Sequence, residues 1–240
     1  MYKAIAFFLL LLIGANASSL DAGKNSAAGQ QTDTSSYRKL LTKIQASRDS
    51  IEGQYENSDE THKKEILHST GEFLVESLYK KIIPYWIGTK WEFYGQTKIP
   101  GDSSIACGRF VVITLSQLGI KMEDPDQMAE NYSAYMVNSL CDTSFKFSKA
   151  EELLDVVKKY PDDVWVVGLR NHSGLLVKYK GQIRFVHSSY MTPTAVVDEP
   201  AEESLTFLYS NIYVAGPLFV TNSLTRKWIL KEEVKYRKKY

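Results

Sequence analysis

The stretch DVWVVGLRNHSGLLVKYKGQIRFVHSSY, Asp163–Tyr190, holds three runs of strand character in close succession: Val164–Leu169, Gly174–Lys180 and Ile183–His187. Each run is rich in β-branched and aromatic residues, the types that fit a pleated surface. Lys180 and Gly181 stand between the second and third runs, and such a two-residue turn predicts an antiparallel hairpin. Downstream, AVVDE (Ala195–Glu199) and NIYVAGPLFV (Asn211–Val220) supply a fourth and a fifth candidate strand.

Upstream the apolar period is that of helices. SYRKLLTKIQASRDSIEGQY, Ser36–Tyr55, repeats its apolar residues at Leu40, Leu41, Ile44 and Ile51. A second helix, about Asp59 to Ile83, carries Ile66, Leu67, Phe73, Leu74 and Leu78 and is expected to end at Pro84. WIGTKWEFYGQTKIP, Trp86–Pro100, is aromatic and broken by glycine and proline, so it reads as a short strand followed by a loop. Ala106–Leu118 is helical in period and stops at Gly119. DPDQMAENYSAYMVNSL (Asp124–Leu140) opens another helix at Asp-Pro, and SKAEELLDVVKKYP (Ser148–Pro161) is an amphipathic helix ended by proline. Helices first and clustered antiparallel strands afterwards imply an α+β fold. In it a helix starting near Cys107 packs on an antiparallel sheet, and residues 36–84 form an N-terminal helical extension of one domain, 36–240.

The chain opens MYKAIAFFLLLLIGANASS. A basic residue, a short apolar run and small residues at Ala15 and Ala17 are the pattern of a secretory signal peptide, residues 1–17, too short to span a membrane. Residues 18–35 are small, polar and unpatterned, and read as a flexible linker. The mature protein is therefore expected to be secreted or periplasmic, without stable membrane insertion. About 200 residues remain, enough for one full core. A formal net charge of +1 with 44% hydrophobic residues gives no polyanion-binding surface, so nucleic acid is not an expected partner. The lysines of RKWILKEEVKYRKKY, Arg226–Tyr240, are interrupted by glutamates and read as a solvated tail or helix face.

The residues that carry chemistry are few. In IPGDSSIACGRFVVITLSQLG, Ile99–Gly119, Asp102, Ser103 or Ser104 would cap the helix and leave Cys107 in its first turn. Unpaired amides and the positive end of the helix dipole stabilise a thiolate there. Of the four histidines, His62 and His68 lie in a charged helix and read as solvated. His172 opens the second strand and His187 closes the third, so the hairpin can make their imidazoles neighbours. A cysteine nucleophile, a histidine base and a residue that orients the base are what a cysteine hydrolase needs. Cys107, His172 and His187 fill those roles, and Asn171 or Asp198 could replace His187. The bland readings stay open: a disulfide between Cys107 and Cys141, the two cysteines of the chain, and a structural role for a strand histidine. Zinc would require close ligand pairs such as C-x-x-C, which are missing here, so no metal and no organic cofactor is implied.

ACGRFVVITLSQLG (106–119), NHSGLLV (171–177) and RFVHSSY (184–190), in that order, resemble the NlpC-type papain-like cysteine peptidases of bacterial cell-wall metabolism. The resemblance runs from about Trp91 to Ser189. It implies a papain-like fold with Cys107 as nucleophile, His172 as base and His187 as third member, acting on amide or isopeptide bonds of peptidoglycan peptides through a thioester. It also implies that Tyr94, in WEFYGQT, lines the site near the attacked carbonyl, with a core strand tyrosine as the alternative. The oxyanion would be held by the amide of Cys107 or Gly108. The family usually reads D-C-S-G where this chain reads Ala106, Cys107, Gly108, Arg109. Without that aspartate, recognition of a free substrate amine loses its ligand. Arg109 is left as a candidate for a substrate carboxylate or as a residue of the helix's solvent face. An acyltransferase on the same thioester, and an inactive cell-envelope binding module, are the alternatives of other classes.

Overall fold

A computed structural model describes residues 33–238. The expected leader, 1–17, and most of the expected linker lie outside the described residues. Helix α1 (Thr34–Glu56) begins inside the segment expected to be linker. Asp33 caps it by accepting from the amides of Ser35 and Ser36 at 3.0 and 3.1 Å. Asp59 caps α2 (Glu60–Glu76) in the same way through Thr61 and His62.

Pro84 does not end this second helix as expected. The backbone widens into a π-helical turn at Ser77–Ile82, in which the Ile83 amide reaches back five residues to Leu78, and then continues as α3 (Ile83–Trp86). A proline inside a regular helix lacks a donor and presses on the carbonyl one turn before it. Here it enters on the first turn after the widened segment, where α-helical spacing has already been broken. The aromatic segment after it forms isolated bridges in place of the expected strand: Lys90 pairs with Ser104 and Ala195, and Gln96 with Ile105.

Helix α4 (Cys107–Leu118) follows and ends at Gly119, whose φ of 108° is the left-handed conformation that closes a helix. Its residues Phe110, Val111, Leu115 and Leu118 are fully buried, each stabilising the fold by about 1.5–3 kcal/mol. The segment expected to form one helix after Asp124 forms two, α5 (Pro125–Glu130) and α6 (Ser133–Leu140), after the short strand β1 (Lys121–Met122). Then come β2 (Phe145–Phe147), α7 (Ala150–Lys159), β3 (Asp163–Leu169), β4 (Ser173–Tyr179), β5 (Gln182–Ser188), β6 (Val196–Pro200), α8 (Leu205–Leu208), β7 (Tyr213–Pro217), α9 (Ser223–Ile229) and β8 (Glu233–Val234).

Strands β2 to β7 make one antiparallel sheet in the order β2-β7-β3-β4-β5-β6, and the fold is α+β. Lys180 and Gly181 both have positive φ, 51° and 78°, as the tight β4–β5 turn requires. Alternating residues divide the sheet between two cores. Val164, Val166, Leu175, Val177 and Val186 face α4 and the N-terminal helices, whereas Trp165, Val167, Leu176 and Phe185 face α7 and α8. The basic C-terminal segment is docked where a solvated tail was expected. Trp228 and Ile229 are buried, Trp228 donates its indole N–H to the Leu118 carbonyl at 2.8 Å, and β8 pairs in parallel with β1. The apolar members of that segment outweigh its lysines, whose charged ends stay at the surface.

Candidate functional site

Cys107 is the first residue of α4 and is half-buried. Ala106 occupies the cap position, and no side chain caps the helix, so the expected role of Asp102, Ser103 or Ser104 is not found. Ser104 instead donates to the Glu92 carboxylate at 2.8 Å. The amides of the first turn, Cys107 and Gly108 among them, thus have no side-chain acceptor from a cap, and an uncapped helix start favours an anion.

The chain before α4 is tied to one end of the sheet. Ser188, at the end of β5, donates its hydroxyl to the Ile105 carbonyl at 2.7 Å, and Ala106 donates its amide to Gly95 at 3.0 Å. Gly88 and Thr89 exchange backbone bonds with Val196 at the start of β6. The chain entering α4 is therefore held beside the end of β5, one residue of which is His187.

His172 and His187 meet there. His172 Nε2 lies 2.8 Å from His187 Nδ1, with the rings edge to face at 4.9 Å between centroids. His187 Nε2 lies 3.2 Å from a Glu199 carboxylate oxygen on the neighbouring strand β6. Both imidazoles are buried. Burial, with His187 nearby as a second cause, lowers His172 from 6.5 to about 3, and burial alone takes His187 to about 3. Both rings are neutral at physiological pH. Gly174 makes the packing possible: a Cβ there would stand 2.7–2.9 Å from the Phe185 ring and His187 Cβ. The Tyr190 ring lies 5.3 Å from His172 and 6.1 Å from Trp91, joining the pair to the 91–97 loop.

The sheet alternation also separates these groups. The His187 ring stacks on Phe185 at 4.3 Å, on the face of the second core, while α4 packs with Leu175, Val177 and Val186 on the other. The start of α4 and the imidazole pair come to the same end of the sheet from its two faces. Among the described residues no hydrogen bond joins Cys107 to either ring.

The alternative orienting residues are placed elsewhere. Asp198 is held by Arg184 at 2.7 Å and by the Tyr79 hydroxyl at 3.1 Å, and Asn171 is exposed. Tyr94 is 84% exposed, edge to face with Phe93, and so is not a core strand residue; Gly95 beside it contacts the start of α4. Gly108 is buried under α5. Arg109 is not free on the helix surface: its guanidinium is gripped by Asp126 and Glu130 of α5, and its side chain is 12% exposed. Both cysteines are free thiols. Burial, and then the nearby carboxyl of Asp163, push the Cys141 thiol well above its ordinary range, the opposite of activation.

Among the described residues no group of three or more metal-ligating side chains is assembled. Comparison of the chain with protein-family models, with curated proteins and with solved structures finds no match.

Glu199, Tyr190 and Trp91 are the neighbours of the site that sequence reasoning missed. The only available signal for Glu199 was a carboxylate in an apolar strand, and its partner depends on the β5–β6 register, Phe185 opposite Glu199 and His187 opposite Val197.

Proposed function

We propose that the chain is a secreted or periplasmic cysteine hydrolase of the NlpC-type papain-like kind that cleaves amide or isopeptide bonds, with peptidoglycan peptides as the substrate class. The observation that carries this reading is the 2.8 Å contact between His172 Nε2 and His187 Nδ1 at the end of the sheet that also anchors the start of the Cys107 helix. That contact leaves His172 Nδ1 as the nitrogen for a thiol.

In this mechanism substrate binding brings the start of α4 and the histidine pair together around the end of the sheet, and the Cys107 thiol then gives its proton to His172 Nδ1 as the sulfur attacks the carbonyl carbon. The oxyanion is received by an amide at the uncapped helix start, Cys107 or Gly108. Collapse expels the amine, which takes the proton back from His172, and leaves a thioester on Cys107. Water then attacks the thioester carbonyl as His172 takes its proton, the C–S bond breaks to release the acid, and the Cys107 sulfur recovers the proton from His172. Burial lowers the affinity of His172 for protons and so disfavours a standing thiolate–imidazolium pair. Burying Arg109 between two carboxylates, with alanine at 106, removes both charged substrate ligands next to the cysteine. The substrate is therefore recognised without a salt bridge at those positions.

The test is alkylation of the native protein by iodoacetamide, located by mass spectrometry, together with digestion of peptidoglycan fragments. Rapid labelling at Cys107 that slows at least tenfold in His172→Ala, with fragment cleavage lost in Cys107→Ala, is the expected result. Labelling indifferent to His172 would sink the hydrolase reading.

A further inference from the structure

We propose that Glu199 is a positioning residue that sets the protonation pattern of the histidine pair, so that His172 carries its proton on Nε2 and keeps Nδ1 as a lone pair. The argument follows the hydrogen bonds inward from β6. A carboxylate can only accept, so the 3.2 Å contact requires His187 Nε2 to be the donor. A neutral imidazole carries one proton, so His187 Nδ1 is then an acceptor. The 2.8 Å contact between the rings then requires His172 Nε2 to donate. The single proton of His172 is thereby spent on the side away from its second nitrogen, and Nδ1 is unprotonated.

Among the described residues no other hydrogen bond to either ring makes that choice. The other ring neighbours, Phe185 and Tyr190, meet the pair through ring contacts. Without the carboxylate, the pair could run its protons the other way, with His187 Nδ1 donating to His172 Nε2 and His172 protonated on Nδ1. That reversed chain would be useless for accepting a thiol proton. Glu199 sits on the edge strand β6 with its side chain 35% exposed, so the carboxylate stays hydrated on one side while its other side orders two buried rings. The consequence for catalysis rests on the hydrolase reading above; the protonation pattern itself does not.

The experiment is solution NMR of the uniformly ¹⁵N-labelled protein near pH 7, in which ring nitrogen shifts and long-range couplings report which nitrogen of each histidine is protonated. In the wild type both rings should carry the proton on Nε2. In Glu199→Ala the two chains become similar in energy, so each ring should show both forms and Cys107 alkylation should fall roughly twofold or more. Glu199→Gln, whose amide oxygen can still accept, should retain most of the wild-type pattern. A wild-type His187 protonated on Nδ1 overturns the inference without any variant having to fold. A correct pattern with Cys107 labelling indifferent to His172→Ala would uphold Glu199 and reject the hydrolase.

Discussion

Gly108 and Ala129 touch so closely that a side chain at 108 has no room: a Cβ there would lie 2.1 Å from the Ala129 carbonyl oxygen. Helix α5 is laid across the first turn of α4, and Arg109 clamps it there through Asp126 and Glu130. Glycine at 108 is thus required by the packing of α5. Gly108→Ser should destabilise the protein by about 1–3 kcal/mol, the usual range for overpacking against a part that cannot yield. Urea denaturation measures it. A change under a few tenths would mean that α5 moves aside freely.

Arg109→Ala tests whether the clamp or a substrate uses that charge. Both carboxylates are well exposed, so the stability loss should be at most about 1 kcal/mol. Cys107 alkylation should change less than twofold. A large rise in KM for peptide fragments with kcat unchanged would restore Arg109 as a substrate ligand.

Cys141 should be silent to iodoacetamide in the native protein and react once the chain is unfolded. It is buried, and Gly216 is packed so tightly over it that a Cβ there would stand 2.9 Å from its sulfur. Mass spectrometry of native and denatured samples should show one labelled cysteine and two, respectively. Native labelling at 141 would contradict this packing.

Asp163 holds the corner between β3 and the segment after β7. Its carboxyl accepts from the amides of Val164 at 2.7 Å and Phe219 at 3.2 Å in the interior, and from that of half-buried Val220 at 3.0 Å. Asp163→Ala would leave these donors unsatisfied, and a loss of about 3 kcal/mol or more is expected from chemical denaturation. Loss of under 1 kcal/mol would show that water enters the site.

The pH dependence of stability should carry two opposed contributions. His172 and His187 have folded pKa values lowered from 6.5 to about 3, so below pH 6.5 the unfolded chain takes up protons that the folded one refuses. Their contribution is fully present above 6.5 and is lost as the pH falls towards 3. Burial raises Asp163 from 3.8 to about 7, so the folded form holds a proton that the unfolded form releases in that range. Its contribution is present below 3.8 and is lost as the pH rises through 7. Between pH 4 and 6.5 the histidines outnumber the aspartate, and stability should decline on acidification. Replacing either histidine by glutamine should flatten that decline; a steeper one would show that the rings are charged in the folded state.

Much of this arrangement was legible without coordinates because it is local. The Lys180–Gly181 turn sets the β4–β5 register, and with it the meeting of His172 and His187, since two strands joined by a two-residue turn have little freedom to slip. The period of 106–118 and Gly119 set α4 and its end, and with them Cys107 in the first turn, through hydrogen bonds between near neighbours. What needed the tertiary structure was everything that depends on which distant surfaces pack together. Pro84 continues a helix because the π-helical turn before it makes room, and the basic C-terminus docks because Trp228 reaches the end of α4. Gly108 answers to α5, and Glu199 reaches His187 only through the pairing of β6 with β5, joined by a connection with no turn signature. Periodicity states which residues turn inward. It carries no information on what they meet there, because burial is non-directional while the hydrogen bonds that make a site are not.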